Sequence, residues 1–254
     1  MKGGGPVQAV GRTDQGMARE INQDHIFTST MPVGPLPDLF LVADGMGGHQ
    51  AGDYASRFLV QNLVRIMRGF TSGTPVIKCL REGIQIANKL LYEKANCTAA
   101  LNGMGTTLVA AVVKDRALYV ANVGDSRLYV IGSKIRQITR DHSYVEEMVA
   151  LGRMRRDSKE YKQNKNIITR ALGTAERVYA DFFEVELKEG EQFLLCSDGL
   201  TNMVEDRIIQ KIVKNAPSPD AAVQILIDRA NGNGGLDNIS AVLVNPTGRG
   251  VKPC

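Results

Sequence analysis

Two short apolar runs stand out along the chain: Phe40-Leu41-Val42-Ala43, followed by Asp44-Gly45, and Phe193-Leu194-Leu195-Cys196, followed by Ser197-Asp198-Gly199. A short apolar run closed by a glycine turn reads as a core strand. Each of these ends on a carboxylate, where strand is expected to give way to loop and where scaffolds usually present chemistry. Residues 117–123 form a third strand, ending in Gly124-Asp125. Residues 239–244 form a fourth, preceded by Gly235-Leu236-Asp237-Asn238. Asp-Gly and Gly-Asp are also ordinary turn pairs; the repeated union of apolar strand and terminal acid is what sets these four places apart. Carboxylates gathered at one edge of a core repel one another and are costly to desolvate, so a positive partner belongs among them. A divalent metal is the simplest candidate.

The rest of the pattern fills in around these strands. Strands are predicted at 7–11 and 26–29, with a Pro/Gly turn at 31–37. Ala55, Phe58, Leu59, Leu63, Ile66 and Met67 recur at helical spacing and predict a helix that Gly69 ends. Thr74-Pro75 opens a second helix with Ile77, Leu80, Ile84, Ala87 and Leu91 on one face, and the two should pack as neighbours. Between 104 and 139, runs rich in Val, Leu, Thr and Tyr are cut by turns at 114–116, 124–125 and 132–133, which reads as an antiparallel meander. A helix over 144–151, a strand signal at Ile167-Ile168, strands at 182–187 and 193–197, helices over 205–214 and 220–230, and the final strand complete the chain. Helices in pairs between blocks of strands predict an α+β fold: a four-layer αββα sandwich of two antiparallel sheets flanked by helix pairs, not alternating βαβ units.

Composition narrows the picture. At 254 residues with no dividing linker, the chain reads as one domain over 7–246, with a flexible start at 1–6 and a tail at 247–254. Hydrophobic residues at 43%, charged residues at 23% and a formal charge of +4 are ordinary for a globular protein and no signature of nucleic-acid binding. No apolar run is long enough to span a bilayer and the start lacks the apolar segment of a signal peptide, so a cytoplasmic protein is expected. The cysteines, Cys79, Cys97, Cys196 and Cys254, are widely spaced and read as free thiols rather than zinc or redox pairs. The residue six positions after Cys196 is Asn202 rather than Arg, so a cysteine-nucleophile phosphatase loop is absent. Residues 151–165 hold six positive and two acidic side chains. They read either as a solvated surface loop or as a substrate-facing flap, spanning about 142–166, whose charge would favour an acidic phosphoprotein.

The candidate ligands are all oxygen donors, with no His or Cys grouped at metal-ligand spacing, which favours Mg2+ or Mn2+ over zinc. Two such ions can share a bridging Asp. Water held between them loses a proton readily, and the same ions stabilise charge on a phosphoryl group, so phosphoester hydrolysis is the natural task. The phosphate loop Gly-x4-Gly-Lys-Ser/Thr, His-Glu-x-x-His and Gly-x-Ser-x-Gly are missing.

Eight segments then carry a resemblance: Arg19-x-x-Asn22-Gln23-Asp24, Val42-Ala43-Asp44-Gly45-Met46-Gly47-Gly48-His49, Met104-Gly105-Thr106-Thr107, Val123-Gly124-Asp125-Ser126-Arg127, Asp141-His142-Ser143, Ile168-Thr169-Arg170-Ala171-Leu172-Gly173-Thr174, Cys196-Ser197-Asp198-Gly199-Leu200 and Asp237-Asn238. In order, and over nearly the whole chain, the set resembles the motifs of the metal-dependent PPM-type Ser/Thr protein phosphatases, the type 2C group, in the form of its compact bacterial members. The resemblance implies that Asp44 bridges two metals, that the Gly45 carbonyl completes one, and that Asp198 and Asp237 hold the other. It further implies a third site formed by Asp125 with Asp198, Asp24 acting through metal-bound water, and Arg19 clamping the substrate phosphate. Met46 stands where eukaryotic relatives carry a His, so His49 is a candidate general acid, directly or through water, unless it is structural or metal-bound water takes that role. His142 is read as structural.

The implied activity is hydrolysis of phosphoserine and phosphothreonine on proteins, with two or three Mn2+ or Mg2+ ions and attack by water activated between two of them. Phosphorylated proteins, including a Ser/Thr kinase and its substrates, are the implied partners of what is expected to be a monomer; neither nucleic acid nor membrane is expected to be one. Two rivals stay open: a hydrolase of small phosphoesters, and a phosphoprotein-binding module without catalysis. Retention of an Asp at every expected ligand position speaks against the second.

Overall fold

The computed structural model of the protein describes residues 7–48, 51–97 and 99–246. β1 (Gln8–Asp14), β2 (Asp24–Ser29) and β3 (Leu39–Met46) lead into α1 (Ala51–Arg68) and α2 (Val76–Cys97). β4 (Gly105–Thr106), β5 (Leu108–Lys114), β6 (Ala117–Val123), β7 (Arg127–Ile131) and β8 (Ile135–Gln137) follow, then α3 (Tyr144–Ala150) and α4 (Lys159–Asn164). β9 (Asp181–Glu186), β10 (Gln192–Cys196), α5 (Asp198–Thr201), α6 (Asp206–Asn215), α7 (Pro219–Gly232) and β11 (Ile239–Asn245) complete the order.

The strands form two antiparallel sheets, one ordered β1-β11-β10-β7-β8 and the other β2-β3-β5-β6-β9, with β4 paired to β3. The apolar runs are unbroken because each central strand is covered on both faces. Successive side chains point to opposite faces of a strand. Phe40 and Val42 therefore enter the core between the sheets, with Val109, Val120, Leu195 and Val242, whereas Leu39, Leu41 and Ala43 enter a second core under α1 and α2. β10 divides in the same way: Phe193 and Leu195 face the other sheet, Leu194 and Cys196 face the α6–α7 side. Phe40 and Phe193 meet edge to face across the sandwich, 5.8 Å between ring centres. The layers are thus α, β, β, α, as the pairing of helices and strands predicts.

The helices follow their sequence signals. Ala55, Leu59, Leu63 and Met67 are the buried stripe of α1, and Gly69 closes it by donating its N–H to the Ile66 carbonyl. α2 packs alongside at Gly83, where a Cβ would lie 2.6 Å from Met67 Cε. Ser218 caps α7, its hydroxyl accepting from the Ala221 N–H at 3.1 Å, with Pro219 as the first helical residue.

Two expectations are corrected, and two short helices join the expected elements. Residues 104–139 are not one meander: β5 and β6 stay in one sheet, the chain crosses at 124–126, and β7 and β8 pair in the other. Gly124, at φ +99°, makes this crossing against the Thr107 side chain, which leaves no room for a Cβ. Ile167-Ile168 is not a strand: Ile168 makes a single bridge to Ser143, and the Ile167 carbonyl accepts the Tyr144 N–H. α4 and α5, of six and four residues, are too short for periodicity to register. The expected flexible start at 1–6 and tail at 247–254 lie outside the described residues. Among those described, no helix is long and apolar enough to cross a membrane.

Phe193 is fully buried between the sheets, so Phe193→Ala should destabilise the protein by about 3–5 kcal/mol. Urea or thermal unfolding checks this; an unchanged midpoint would remove the ring from the load the sandwich carries.

Candidate active site

The register of β2 and β3 places Asp24 directly opposite Asp44. Asp44 is not at the tip of its strand, because Gly45 and Met46 continue the ladder by pairing with Thr106 and Gly105 of β4. Its backbone is held from both sides. The Thr107 hydroxyl accepts the Asp44 N–H at 2.9 Å, and the Asp44 carbonyl accepts from the Thr107 N–H at 2.8 Å and the Thr106 hydroxyl at 2.9 Å. Thr107 also shares a 2.7 Å hydrogen bond with Ser126, next to Asp125. Gly45 has no space for a side chain, since a Cβ would fall 2.0 Å from the Gly52 carbonyl oxygen.

On the other sheet, Ser197 follows β10 and precedes Asp198, which opens the short helix α5 instead of a loop. The Ser197 hydroxyl donates to Asp24 Oδ2 at 2.7 Å, a bond that joins the two sheets at their mouth. Asn202, one turn after Asp198, donates to Asp198 Oδ2 at 2.8 Å and accepts from Lys165 Nζ at 2.8 Å. Asn238 is a buried hub: it accepts the Gln23 N–H and donates to the Gln15 and Ile21 carbonyls, fastening the loop that carries Arg19 beside Asp237. His142 holds the Gly124-Asp125 turn, its N–H donating to the Gly124 carbonyl and its Nδ1 accepting the Gly124 N–H, each at about 3.0 to 3.1 Å. With Nδ1 accepting, Nε2 carries the proton toward Asp181, so His142 serves the scaffold. Asn202, Asn238 and Thr107 could not be picked out beforehand as position-setting residues; the only signal was that Thr107 and Asn238 lie inside quoted motifs.

Asp44, Asp125, Asp198 and Asp237 line one cleft of about 340 Å3 with Arg19, Gln23, Gly45, Met46, Thr107, Asn166 and Ile168 among its walls. A larger groove of about 450 Å3 between α6 and α7 brings together no such set of acids. Asp24 sits one layer behind the cleft, buried. Burial, reinforced by Asp24, Asp198, Asp125 and Asp237, pushes the Asp44 carboxyl well above the usual carboxylate range. Burial also raises Asp24, Asp125 and Asp198, opposed at Asp24 by the Ser197 hydrogen bond and at Asp198 by Asn202.

These residues fit a hard divalent cation. The donors are oxygens, the buried atoms Asp24 Oδ1 and Asp198 Oδ1 have no hydrogen-bond partner among the described residues, and their neighbours are like charges. Among the described residues no three His, Cys, Asp or Glu side chains stand close enough together to hold a metal ion on their own. Hard cations such as Mg2+ keep several waters and take one or two carboxylates, which an open cleft permits.

Arg19, expected to face a phosphate, grips Asp237 with its fork, Nε to Oδ1 at 2.9 Å and Nη2 to Oδ2 at 2.8 Å, while its side chain stays half exposed. His49 lies outside the described residues, and among those described no imidazole lines the cleft. The chain just past the basic segment lines the cleft with Asn166 and Ile168, and much of the segment's charge is used locally: Arg155 pairs with Asp157, and Arg156 with Glu146, which also accepts from Tyr161.

Comparison with known proteins identifies the family. The family described as Protein phosphatase 2C matches residues 17–226. The serine/threonine phosphatase stp of Listeria monocytogenes is 39% identical over 241 residues, covering 92% of this chain and 93% of that protein. The protein phosphatase PhpP of Streptococcus pneumoniae is 36% identical over 237 residues, covering 92% and 95%. Among solved structures, the serine/threonine phosphatase Stp1 of Staphylococcus aureus superposes with a TM-score of 0.87 at 34% identity, covering 96% of both chains. The catalytic domain of the phosphatase PstP, solved with two manganese ions, does so with 0.81 at 29% identity, covering 94% of this chain and 97% of that one. The chain belongs to the protein phosphatase 2C family of metal-dependent serine/threonine phosphatases.

Proposed function

We propose that this cleft removes phosphate from phosphoserine and phosphothreonine of proteins with two or three Mn2+ or Mg2+ ions, in a cytoplasmic monomer whose counterpart is a Ser/Thr kinase. The observation that carries the reading is the set of four carboxylates on one cleft, with a fifth behind it and Arg19 as the one cation in salt-bridge contact with them among the described residues. Asp44 with the Gly45 carbonyl would hold one ion, Asp44 with Asp198 and Asp237 the other, and Asp125 with Asp198 a third. Bound ions supply a Lewis acid that lowers the pKa of water and offsets charge on a phosphoryl group.

The chain's own residues do the rest. Asp24, anchored by Ser197, would orient water at the back of the cleft through its Oδ1, which has no hydrogen-bond partner among the described residues. Arg19 is mounted at the lip, and its planar fork, which matches carboxylate in the pair with Asp237, matches phosphate as well. Asn202 fixes the second oxygen of Asp198, while the first is buried with no hydrogen-bond partner among the described residues. Protonation of the leaving oxygen falls to His49 or to water. Retention of an Asp at every expected ligand position, four of them on one cleft, favours a catalyst over a phosphoprotein-binding module.

Phosphate release from a phosphothreonine peptide and from a nucleotide, each with chelator, Mg2+ or Mn2+, tests the reading. Metal-dependent release from the peptide is expected; release from the nucleotide alone would point to small phosphoesters instead. Asp198→Asn should lower peptide turnover at least about a hundredfold, and full activity in that variant would overturn the ligand assignment. Arg19→Ala should lower kcat/KM by about tenfold or more, as expected for loss of a charge-assisted phosphate contact; steady-state kinetics on the same peptide read this. Metal removal gives a separate handle on stability. In chelator, Asp44→Asn should melt no lower than the parent, because it removes a like charge without removing a side-chain hydrogen bond. Added Mn2+ should raise the melting temperature of the parent more than that of the variant, as thermal unfolding will show.

A further inference from the structure

Two of the most exposed large apolar side chains among the described residues, Met17 and Leu236, sit on two loops that meet at Gly235, close in sequence to Arg19 and Asp237 of the cleft. Met17 is 71% exposed and Leu236 is 61% exposed. Their proximity is built by the backbone: the Met17 and Ala18 N–H groups both donate to the Gly235 carbonyl, at 2.8 and 3.1 Å. Met17 Cγ passes so close to Gly235 that a Cβ there would lie 2.8 Å from it. Gly235 stands at φ +51°, in the left-handed region, and Leu236 follows it directly. One residue past Leu236 is Asp237, and two residues past Met17 is Arg19, the bidentate pair on the lip of the cleft. The two apolar residues are therefore anchored on the same two loops as the guanidinium proposed to receive phosphate. A third exposed apolar residue, Ile167, stands between Asn166 and Ile168, which line the same cleft.

Apolar side chains scattered singly on a surface need no explanation, but contiguous ones mark contact sites. A phosphorylated side chain seated at Arg19 brings its own chain with it. Consecutive Cα atoms lie about 3.8 Å apart, so residues one and two removed from the phosphorylated position pass within side-chain reach of this rim. An apolar side chain there would bury itself against Met17 and Leu236, whereas a small or charged one would gain nothing. A second copy of the chain is a poor occupant, since a stable interface needs about 800 Å2 per partner and this shelf is two side chains wide.

We propose that Met17 and Leu236 form a specificity shelf that favours protein substrates with a bulky apolar residue next to, or one removed from, the phosphoserine or phosphothreonine. The proposal rests on the phosphatase reading above. Its test is kcat/KM with Mn2+ on two phosphothreonine peptides that are identical except at the two positions on either side of the phosphoresidue, leucine in one and serine in the other. The parent protein should prefer the leucine peptide by about tenfold, the scale at which a hydrophobic pocket discriminates. Met17→Ser and Leu236→Ser should each bring that ratio down toward about two by slowing the leucine peptide, and Leu236→Met should keep it near the parent value. Both serine changes are at exposed positions, so melting temperatures should stay close to the parent's. Equal kcat/KM for the two peptides in the parent, or a ratio that survives both serine variants, would overturn the shelf and leave the phosphatase reading intact. Failure to hydrolyse either peptide with any divalent cation would overturn that reading and the shelf with it.

Discussion

Like charges held together at the open end of a core are the constraint around which this fold is arranged. Asp44, Asp125, Asp198 and Asp237 share one cleft and Asp24 stands behind them. Burial and mutual repulsion raise the pKa values of the four that are least exposed. The effective cost of burying even one carboxylate is several kcal/mol, so an isolated hairpin could not keep these groups in place. A sandwich can, because strands buried on both faces have no alternative register that keeps their apolar side chains dry. A one-residue slip of β3 would send Leu41 and Ala43 into the space filled by Phe40 and Val42.

Packing fixes the strands, and hydrogen bonds then fix the acids. Thr106 and Thr107 lock the Asp44 backbone, Thr107 reaches Ser126 beside Asp125, His142 holds the Gly124 turn, and Ser197 ties one sheet to Asp24 of the other. Asn238 performs the same service for the Arg19 loop. Most motif residues in this chain therefore position chemistry without performing it. Removing one would leave a buried partner unsatisfied as well as a carboxylate displaced, which couples stability to the geometry of the cleft.

The parts of this design that were legible in the sequence are those written as periodicity. Strand and helix positions, the four-layer arrangement and the acids at the ends of apolar runs follow from side chains that must be buried. What was not legible depends on three-dimensional neighbours. That Asp44 lies within a ladder depends on β4, two residues long. The crossing between sheets at 124–126 depends on a glycine with positive φ, and glycine in a turn does not say which sheet comes next. Asn202 and Asn238 look like any loop or helix-end asparagine until Asp198 and the Arg19 loop are placed against them. Arg19 shows the same limit from the other side: its residue type suited phosphate, but only the fold reveals that Asp237 is within its grip.

The basic segment illustrates how local pairing changes what a count of charges implies. Arg155 and Arg156 are neutralised by Asp157 and Glu146, and Lys165 is spent on Asn202, while Arg153, Lys159 and Lys162 stay exposed and make no ion pair among the described residues. Three exposed cations can bias the approach of a phosphorylated protein, yet at physiological ionic strength their field fades over a Debye length of about 8 Å. Attraction at that range raises encounter rates for any acidic partner alike. Choice among phosphoproteins has to come from surfaces within contact distance of the phosphoresidue, and the shelf proposed at Met17 and Leu236 is such a surface.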